Sequence, residues 1–293
     1  MVVLIDSSQI AYKALYTVGD LSYGGKSTGV IYGFLNQVLK IADKFETSDL
    51  VFVWDDKKSL RKEIYPDYKK GRHNNKSEWE MKQLQQGFAQ IDRLREEIIP
   101  GLGFQASYIA EGYEADDIFA SIVMNNKFSD CVIVSTDNDL WQLLSYITMQ
   151  VHKYREPVWY GKDIVTWLSF KEEWDISSKD WWKIKAFAGC NTDNVKGLKG
   201  YGYKKACKLL SQNPSKFDEI WKENEKMMEL NTRLVKLPFE GTPLFKSVKE
   251  DLRARESGLD FFLDLCARYD FASFNKKEIL NKWKTILSVE RKV

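Results

Sequence analysis

The chain has 293 residues, 44% hydrophobic, 14% aromatic and 29% charged. That is enough apolar material for one large α/β unit, or for a core with a smaller helical domain. No apolar run approaches the ~18 residues of a membrane helix. Lys+Arg at 44 against Asp+Glu at 42 leaves a net charge of only +2, so bulk charge alone selects no partner.

In chain order, Val2–Ile5 reads as a strand running straight into Asp6, with neither the basic start nor the cleavage-site pattern of a signal peptide. Thr28 opens an amphipathic stretch at helical spacing that runs to Phe45. Leu50–Trp54 is a second apolar strand, ending in Asp55-Asp56. A basic segment follows: Lys57, Lys58, Arg61, Lys62, Lys69, Lys70 and Arg72 are opposed only by Glu63 and Asp67. Residues 77–98 form a polar helix with few apolar anchors, expected to stand partly clear of the core.

Further strands are expected at Phe104–Ile109, Cys131–Ser135 and Ile147–His152, and helices at Glu114–Met124 and Asp139–Leu144. Strands alternating with helices indicate a mostly parallel sheet covered on both faces. After about Lys162 the strand signal fades, and 178–189, 203–211, 214–233 and 258–290 read as helices. The expected division is an α/β core over 1–165, with an excursion at about 57–98, and a helical region over 166–293.

Seven acids stand out: Asp6 in VVLIDSS, Glu114, Asp116 and Asp117 in EGYEADD, Asp137 and Asp139 in STDNDL, and Asp193 in NTDNV. Most follow apolar strands, and the carboxyl ends of parallel strands are where open α/β folds place ligands. Carboxylates gathered there repel one another unless cations sit among them. Hard divalent ions with oxygen ligands, Mg²⁺ or Mn²⁺, are the natural counterpart. Two ions about 4 Å apart suit phosphodiester displacement, each stabilising one oxygen, with hydroxide generated near neutral pH. At a helix start, Glu114 and Asp117 are neighbours at i, i+3 while Asp116 points to a second side. Taken singly, Asp137 or Asp139 reads as a helix cap stabilising by roughly 1 kcal/mol; the full set reads as metal ligands. If the seven acids are offset by metal, 44 basic residues face 35 acidic ones, a balance of +9 that suits a polyanion.

Gly197-Leu198-Lys199-Gly200-Tyr201-Gly202, followed by Lys204 and Lys205, reads as a glycine hairpin between two helices. Its backbone N–H groups and the second helix's N-terminus can approach phosphate, and its lysines add non-specific backbone attraction; an ordinary tight turn is the plainer reading. The run Asp67-Tyr68-Lys69-Lys70-Gly71-Arg72 is either a solvated charged face or a cationic gate over the metals. The four cysteines are widely spaced and only two histidines, His73 and His152, are present. A zinc site is therefore not expected, and reduced, buried thiols of a cytosolic protein are.

These elements, in this order, resemble the 5′-nuclease superfamily: phage 5′→3′ exonucleases, flap endonucleases and the 5′-nuclease domains of bacterial DNA polymerase I. The matching pieces are LIDSSQIAYKALY, TGVIYGFLNQVLKI, VFVWDD with RKEIYPDYKKGR, EGYEADD, VIVSTDNDLWQLL and AGCNTDNVKGLKGYGYKKA. The resemblance implies a central sheet with a helical arch, and a helix-hairpin-helix motif that grips duplex DNA and often binds K⁺. It implies Asp6, Asp55, Glu114, Asp116 and Asp117 at a first metal site, and Asp137, Asp139 and Asp193 at a second. Lys69 and Arg72 correspond to arch residues that contact the scissile phosphate, with Lys70 beside them. Gly197, Gly200 and Gly202, with Lys199, Lys204 and Lys205, correspond to the DNA-binding hairpin.

One position departs from the pattern. Where relatives commonly read G-D-x-x-D-N, this chain reads Gly189-Cys190-Asn191-Thr192-Asp193-Asn194, and a thiol is a poor Mg²⁺ ligand. The resulting expectation is a Mg²⁺-dependent 5′→3′ DNA exonuclease with flap-endonuclease activity. Its partners would be DNA 5′ ends, 5′ flaps or RNA/DNA hybrids, met in primer or flap removal. It is expected to act as a monomer, free-standing, in the cytoplasm (the bacterial host's if phage-encoded). The rival readings are a PIN-like ribonuclease and a catalytically feeble branched-DNA-binding protein.

Overall fold

The computed structural model describes residues 1–70, 78–151, 163–253 and 258–288. In chain order the elements begin with β1 (Val2–Asp6), α1 (Ser7–Val18), the two-residue strands β2 (Ser22–Tyr23) and β3 (Lys26–Ser27), α2 (Gly29–Phe45), β4 (Leu50–Val53) and the single turn α3 (Arg61–Ile64). Next come α4 (Glu78–Arg93), α5 (Ile99–Gly101), β5 (Ser107–Tyr108), α6 (Ala115–Asn125), β6 (Cys131–Val134), β7 (Thr148–Val151) and β8 (Ile164–Val165). The remainder is helical apart from one short hairpin: α7 (Trp167–Trp174), α8 (Trp181–Ala188), β9 (Gly189–Cys190), β10 (Val195–Lys196), α9 (Tyr203–Gln212), α10 (Pro214–Glu223), α11 (Glu225–Val235), α12 (Val248–Arg253), α13 (Leu259–Tyr269) and α14 (Lys277–Leu287). The architecture is α/β, with mostly parallel strands flanked by many helices.

The chain forms two compact units that interleave across the 165/166 boundary. The first comprises 1–54, 75–108 and 247–293; the second comprises 55–74 and 109–246.

In the first unit β1 pairs parallel with β4, Val3 opposite Leu50 through Asp6 opposite Val53, and β4 pairs parallel with β5. Val3, Leu4, Ile5 and all four residues of β4 are closed to solvent. Such continuous apolar strands are what a sheet covered by helices on both faces requires. The polar helix α4 is anchored rather than standing clear: Leu84 and Ile91, with Leu94 just beyond it, are buried. Buried Gln90 accepts from Val30 N (3.0 Å) and Ile31 N (3.3 Å) and donates to Ser27 Oγ. It satisfies the orphan amides at the start of α2, where the Thr28 side chain makes no cap bond.

In the second unit β6 pairs parallel with β7, and β8 runs antiparallel to β7. Behind them Trp141, Phe170, Trp174 and Trp181 pack as an aromatic cluster, and Phe187 stacks on Phe217 at 4.5 Å. The stretch expected as one helix over 214–233 is two, α10 and α11, broken at Asn224. No helix among the described residues is long and apolar enough to cross a membrane.

Candidate active site

Asp6 closes β1 in the first unit, level with Val53, and is nearly buried. Its carboxylate also caps α1, accepting from Gln9 N at 2.9 Å. All the other expected acids lie in the second unit.

The loop after β4 and the start of α6 are stitched together by acids. Asp55 Oδ1 accepts from Ala115 N at 2.8 Å, and Asp56 Oδ2 from Gly112 N at 2.8 Å. Carboxylates at a helix N-terminus are favoured by its exposed N–H groups and dipole. Three residues of α6's first turn then diverge in role. Glu114 is buried and accepts from Lys69 Nζ (2.8 Å), Tyr68 Oη (3.0 Å) and Ser59 Oγ (3.3 Å). Burial alone would raise its pKa, but the charges of Lys69 and Arg61 and these hydrogen bonds outweigh it and hold the carboxyl below its ordinary value. Asp117 is fully closed to solvent; it receives both Arg61 guanidinium nitrogens (2.6 and 2.7 Å), Phe239 N (2.8 Å) and Glu114 N (3.1 Å). Its oxygens are thus committed to internal donors, unlike the metal-facing role the sequence pattern implies. Asp116 takes the second direction and meets Asp137 and Asp139.

Beyond β6, Asp137 Oδ1 accepts from Asp139 N at 2.9 Å, so the plainer capping reading does apply to this residue. Gln150, buried on β7, donates to the carbonyls of Ser135 and Asp137, both at 2.7 Å, and fixes the loop. Oxygens of Asp116, Asp137 and Asp139 come within 4.8 Å of one another. This all-oxygen set, drawn from three separate positions, suits a hard divalent ion. It cuts across the expected grouping, which put Asp116 with the first site and Asp137 and Asp139 with the second.

A second set, Asp139, Cys190 and Asp193, is also within 4.8 Å. Cys190 Sγ lies 3.0 Å from Thr192 Oγ1 and 3.6 Å from Asp193 Oδ2. Buried Lys185 on α8 forms an ion pair with Asp139, donates to Asn138 Oδ1 at 2.8 Å and lies 3.8 Å from Cys190 Sγ. Burial pushes the Asp139 carboxyl up to about 7; Asp137 adds to the push and Lys185 opposes it. A sulfur donor and an ammonium already in place do not fit a second hard ion.

Lys69 adopts a left-handed backbone, φ 55°. Its N–H donates to Asp193 O at 2.9 Å, and Asn194 Nδ2 donates to Asp67 O. These bonds hold the lysine's segment against the Asp193 loop. Lys70 is exposed and paired with Asp67 at 2.7 Å. Arg72 lies outside the described residues, as do His73 and His152.

The glycine segment links α8 to α9. Gly200 has φ +84°, a conformation suited to glycine. At Gly197 a β-carbon would collide with the Ala188 carbonyl, whereas Gly200 and Gly202 have open space around them. The amides at the start of α9 receive no side-chain cap from Gly202. Lys199, Lys204 and Lys205 are exposed, Lys205 lying 4.4 Å over the Tyr201 ring.

Arg61, Tyr68, Gln150 and Lys185 were not legible as site residues in the sequence. Arg61 sat within a basic run; the others carry no pattern that marks a buried polar partner.

Residues 1–173 match the 5′-3′ exonuclease N-terminal, resolvase-like domain. DNA polymerase I of Caldicellulosiruptor bescii is 30% identical over 94% of this chain and 33% of that protein. Thermostable DNA polymerase I of Thermus aquaticus is 31% identical over 72% of this chain and 24% of that protein. The chain therefore spans a third or less of these relatives' length. Among solved structures, the bacteriophage T5 D15 protein co-crystallised with metal ions shares the fold, with a TM-score of 0.65 at 18% identity, covering 96% of this chain and 99% of that one.

Proposed function

The chain belongs to the 5′-3′ exonuclease family, and on that premise we propose that it hydrolyses phosphodiesters at DNA 5′ ends and 5′ flaps with the help of Mg²⁺ or Mn²⁺. One observation carries the reading: Asp116, Asp137 and Asp139 present oxygens within 4.8 Å of one another.

Asp116, Asp137 and Asp139 would hold a divalent ion, which would supply Lewis-acid polarisation of the scissile phosphate and a lowered pKa for bound water. Asp55 is proposed as a further oxygen donor. Lys69, together with Arg72, meets the incoming phosphate. The Lys69 ammonium rests on Glu114, and a phosphate competes with that carboxylate for it, so charge developing on the phosphate is met by a preorganised donor. Glu114 and Asp117 serve as positioning residues: Asp117 fixes Arg61, and Glu114 holds Lys69 and Tyr68. The hairpin of Gly197, Gly200 and Gly202, with Lys199, Lys204 and Lys205, docks the duplex through backbone N–H groups and non-specific charge, and K⁺ is the proposed occupant there. Trimming of primers or flaps during replication follows from the two activities.

Asp116→Asn tests this directly. Cleavage of a 5′-flap duplex in Mg²⁺ should be lost while affinity for the same duplex in Ca²⁺ stays largely intact. Undiminished cleavage by the variant, or by the native protein in EDTA, would overturn the reading. A feeble branched-DNA binder is the second reading, favoured only by the Lys185–Asp139 pair and the thiol at position 190. It would be supported by tight flap binding in Ca²⁺ with no cleavage in Mg²⁺ or Mn²⁺.

A further inference from the structure

The Asp139–Cys190–Asp193 set differs from the Asp116–Asp137–Asp139 set in what already occupies it. Lys185 is 1% exposed, yet its ammonium has four polar or aromatic neighbours. It is ion-paired with Asp139, 2.8 Å from Asn138 Oδ1, 3.8 Å from Cys190 Sγ and 5.2 Å from the Tyr203 ring centre. The Cys190 side chain is also engaged, with Thr192 at 3.0 Å and Asp193 at 3.6 Å.

The charge count over these four side chains points the same way. With a carboxylate at position 190, three acids would surround one ammonium and leave a net charge of −2. With the thiol, two acids and one ammonium leave −1. Mg²⁺ needs oxygen ligands in near-octahedral geometry and dehydrates reluctantly. At this position it would find a sulfur, and at Asp139 a carboxylate already shared with a buried cation. Like charges at such short range in a poorly hydrated interior repel strongly.

We propose that in this chain the second cation position is filled from within by the Lys185 ammonium, so that the acidic cluster recruits one divalent ion where a pair is the expectation. The inference rests on the nuclease reading for its meaning but not for its test. Lys185 then offsets part of the Asp139 charge at fixed geometry, and the protein's demand for free metal falls to a single site.

The test counts ions. Mn²⁺ binding is measured by electron paramagnetic resonance and by calorimetry on the full chain without DNA, for the native protein, Cys190→Asp and the double variant Cys190→Asp/Lys185→Met. One bound ion is expected for the native protein and for Cys190→Asp, which keeps the ammonium, and two for the double variant. Cd²⁺ should give no thiolate charge-transfer absorption with the native protein. Two ions in the native protein or in Cys190→Asp, one in a folded double variant, or a thiolate–Cd²⁺ band would each overturn the proposal. Far-ultraviolet circular dichroism establishes that each variant is folded before ions are counted. Absence of DNA cleavage with the expected counts would sink the nuclease reading and leave this inference standing; cleavage with two native ions would do the reverse.

Discussion

Arg61 and Asp117 meet through two hydrogen bonds of 2.6 and 2.7 Å, with neither side chain open to water. The guanidinium also donates its Nε to Leu234 O at 2.8 Å and lies 4.8 Å from the Phe239 ring centre, so one side chain ties α3, α6 and the end of α11 together. Removing one partner of a buried pair leaves the other charge unpaired and typically costs 3–5 kcal/mol. Arg61→Met should therefore lower the unfolding free energy by about 3–5 kcal/mol, seen as a lower urea midpoint. Arg61→Lys should rescue little, because a single ammonium cannot reproduce the planar fork. A midpoint unchanged in both variants would show that the pair does not hold these elements.

Glu114 predicts a specific acid limb. Its folded pKa lies below the ordinary 4.5 because Lys69, Arg61 and hydrogen bonds overcome its burial. Between the two values the unfolded chain binds more protons, so the stabilisation is complete above the ordinary value and disappears as pH falls through the folded one. Lys69→Met removes the strongest of the opposing influences and leaves burial less opposed. The acid limb should then move to higher pH, measured by urea unfolding in EDTA from about pH 3 to 7. Superimposable native and variant profiles would refute the assignment.

All four cysteines are buried and free. Burial pushes Cys131, Cys207 and Cys266 up to about 12, and a buried protonated thiol is a poor nucleophile. Native protein should react with a thiol-selective disulfide reagent over hours or longer, whereas in guanidinium four equivalents should appear at once. A fast equivalent in the native state would reveal a reactive thiol that the packing does not allow.

The sequence exposed much of this arrangement because its strongest signals are local. β1, β4 and β6 are short apolar runs ending at or near an acid, and that pattern needs no knowledge of the partner. The turn at Gly200 is equally local, since its positive φ selects glycine. Long-range partners were hidden. Arg61 is one cation in a basic run until Asp117, 56 residues on, is seen opposite it. Lys185 on α8 carries no mark of its burial against Asp139. For the same reason spacing assigned Asp117 to metal: the i, i+3 relation to Glu114 holds, but the oxygens face Arg61. The low apolar content of residues 77–98 likewise concealed Gln90, which anchors α4 through hydrogen bonds rather than apolar area.

The hairpin can be tested without touching the acids. At Gly202 (φ −87°) an added β-carbon meets nothing within 4 Å, so Gly202→Ala fits, at a capping cost of about 1 kcal/mol or less. At Gly197 the same change places the β-carbon 2.0 Å from the Ala188 carbonyl, so backbone must shift and the segment should destabilise. If phosphate approaches the bare amides at the start of α9, the Gly202 methyl stands in its way. Gly202→Ala should then melt nearly like the native protein but bind flap DNA at least tenfold more weakly, about 1.4 kcal/mol, by anisotropy in Ca²⁺. Lys204→Ala should weaken binding uniformly across sequences and reduce the log–log salt slope by about 1. Native affinity in Gly202→Ala together with an unchanged slope in Lys204→Ala would remove the hairpin from the DNA-binding surface.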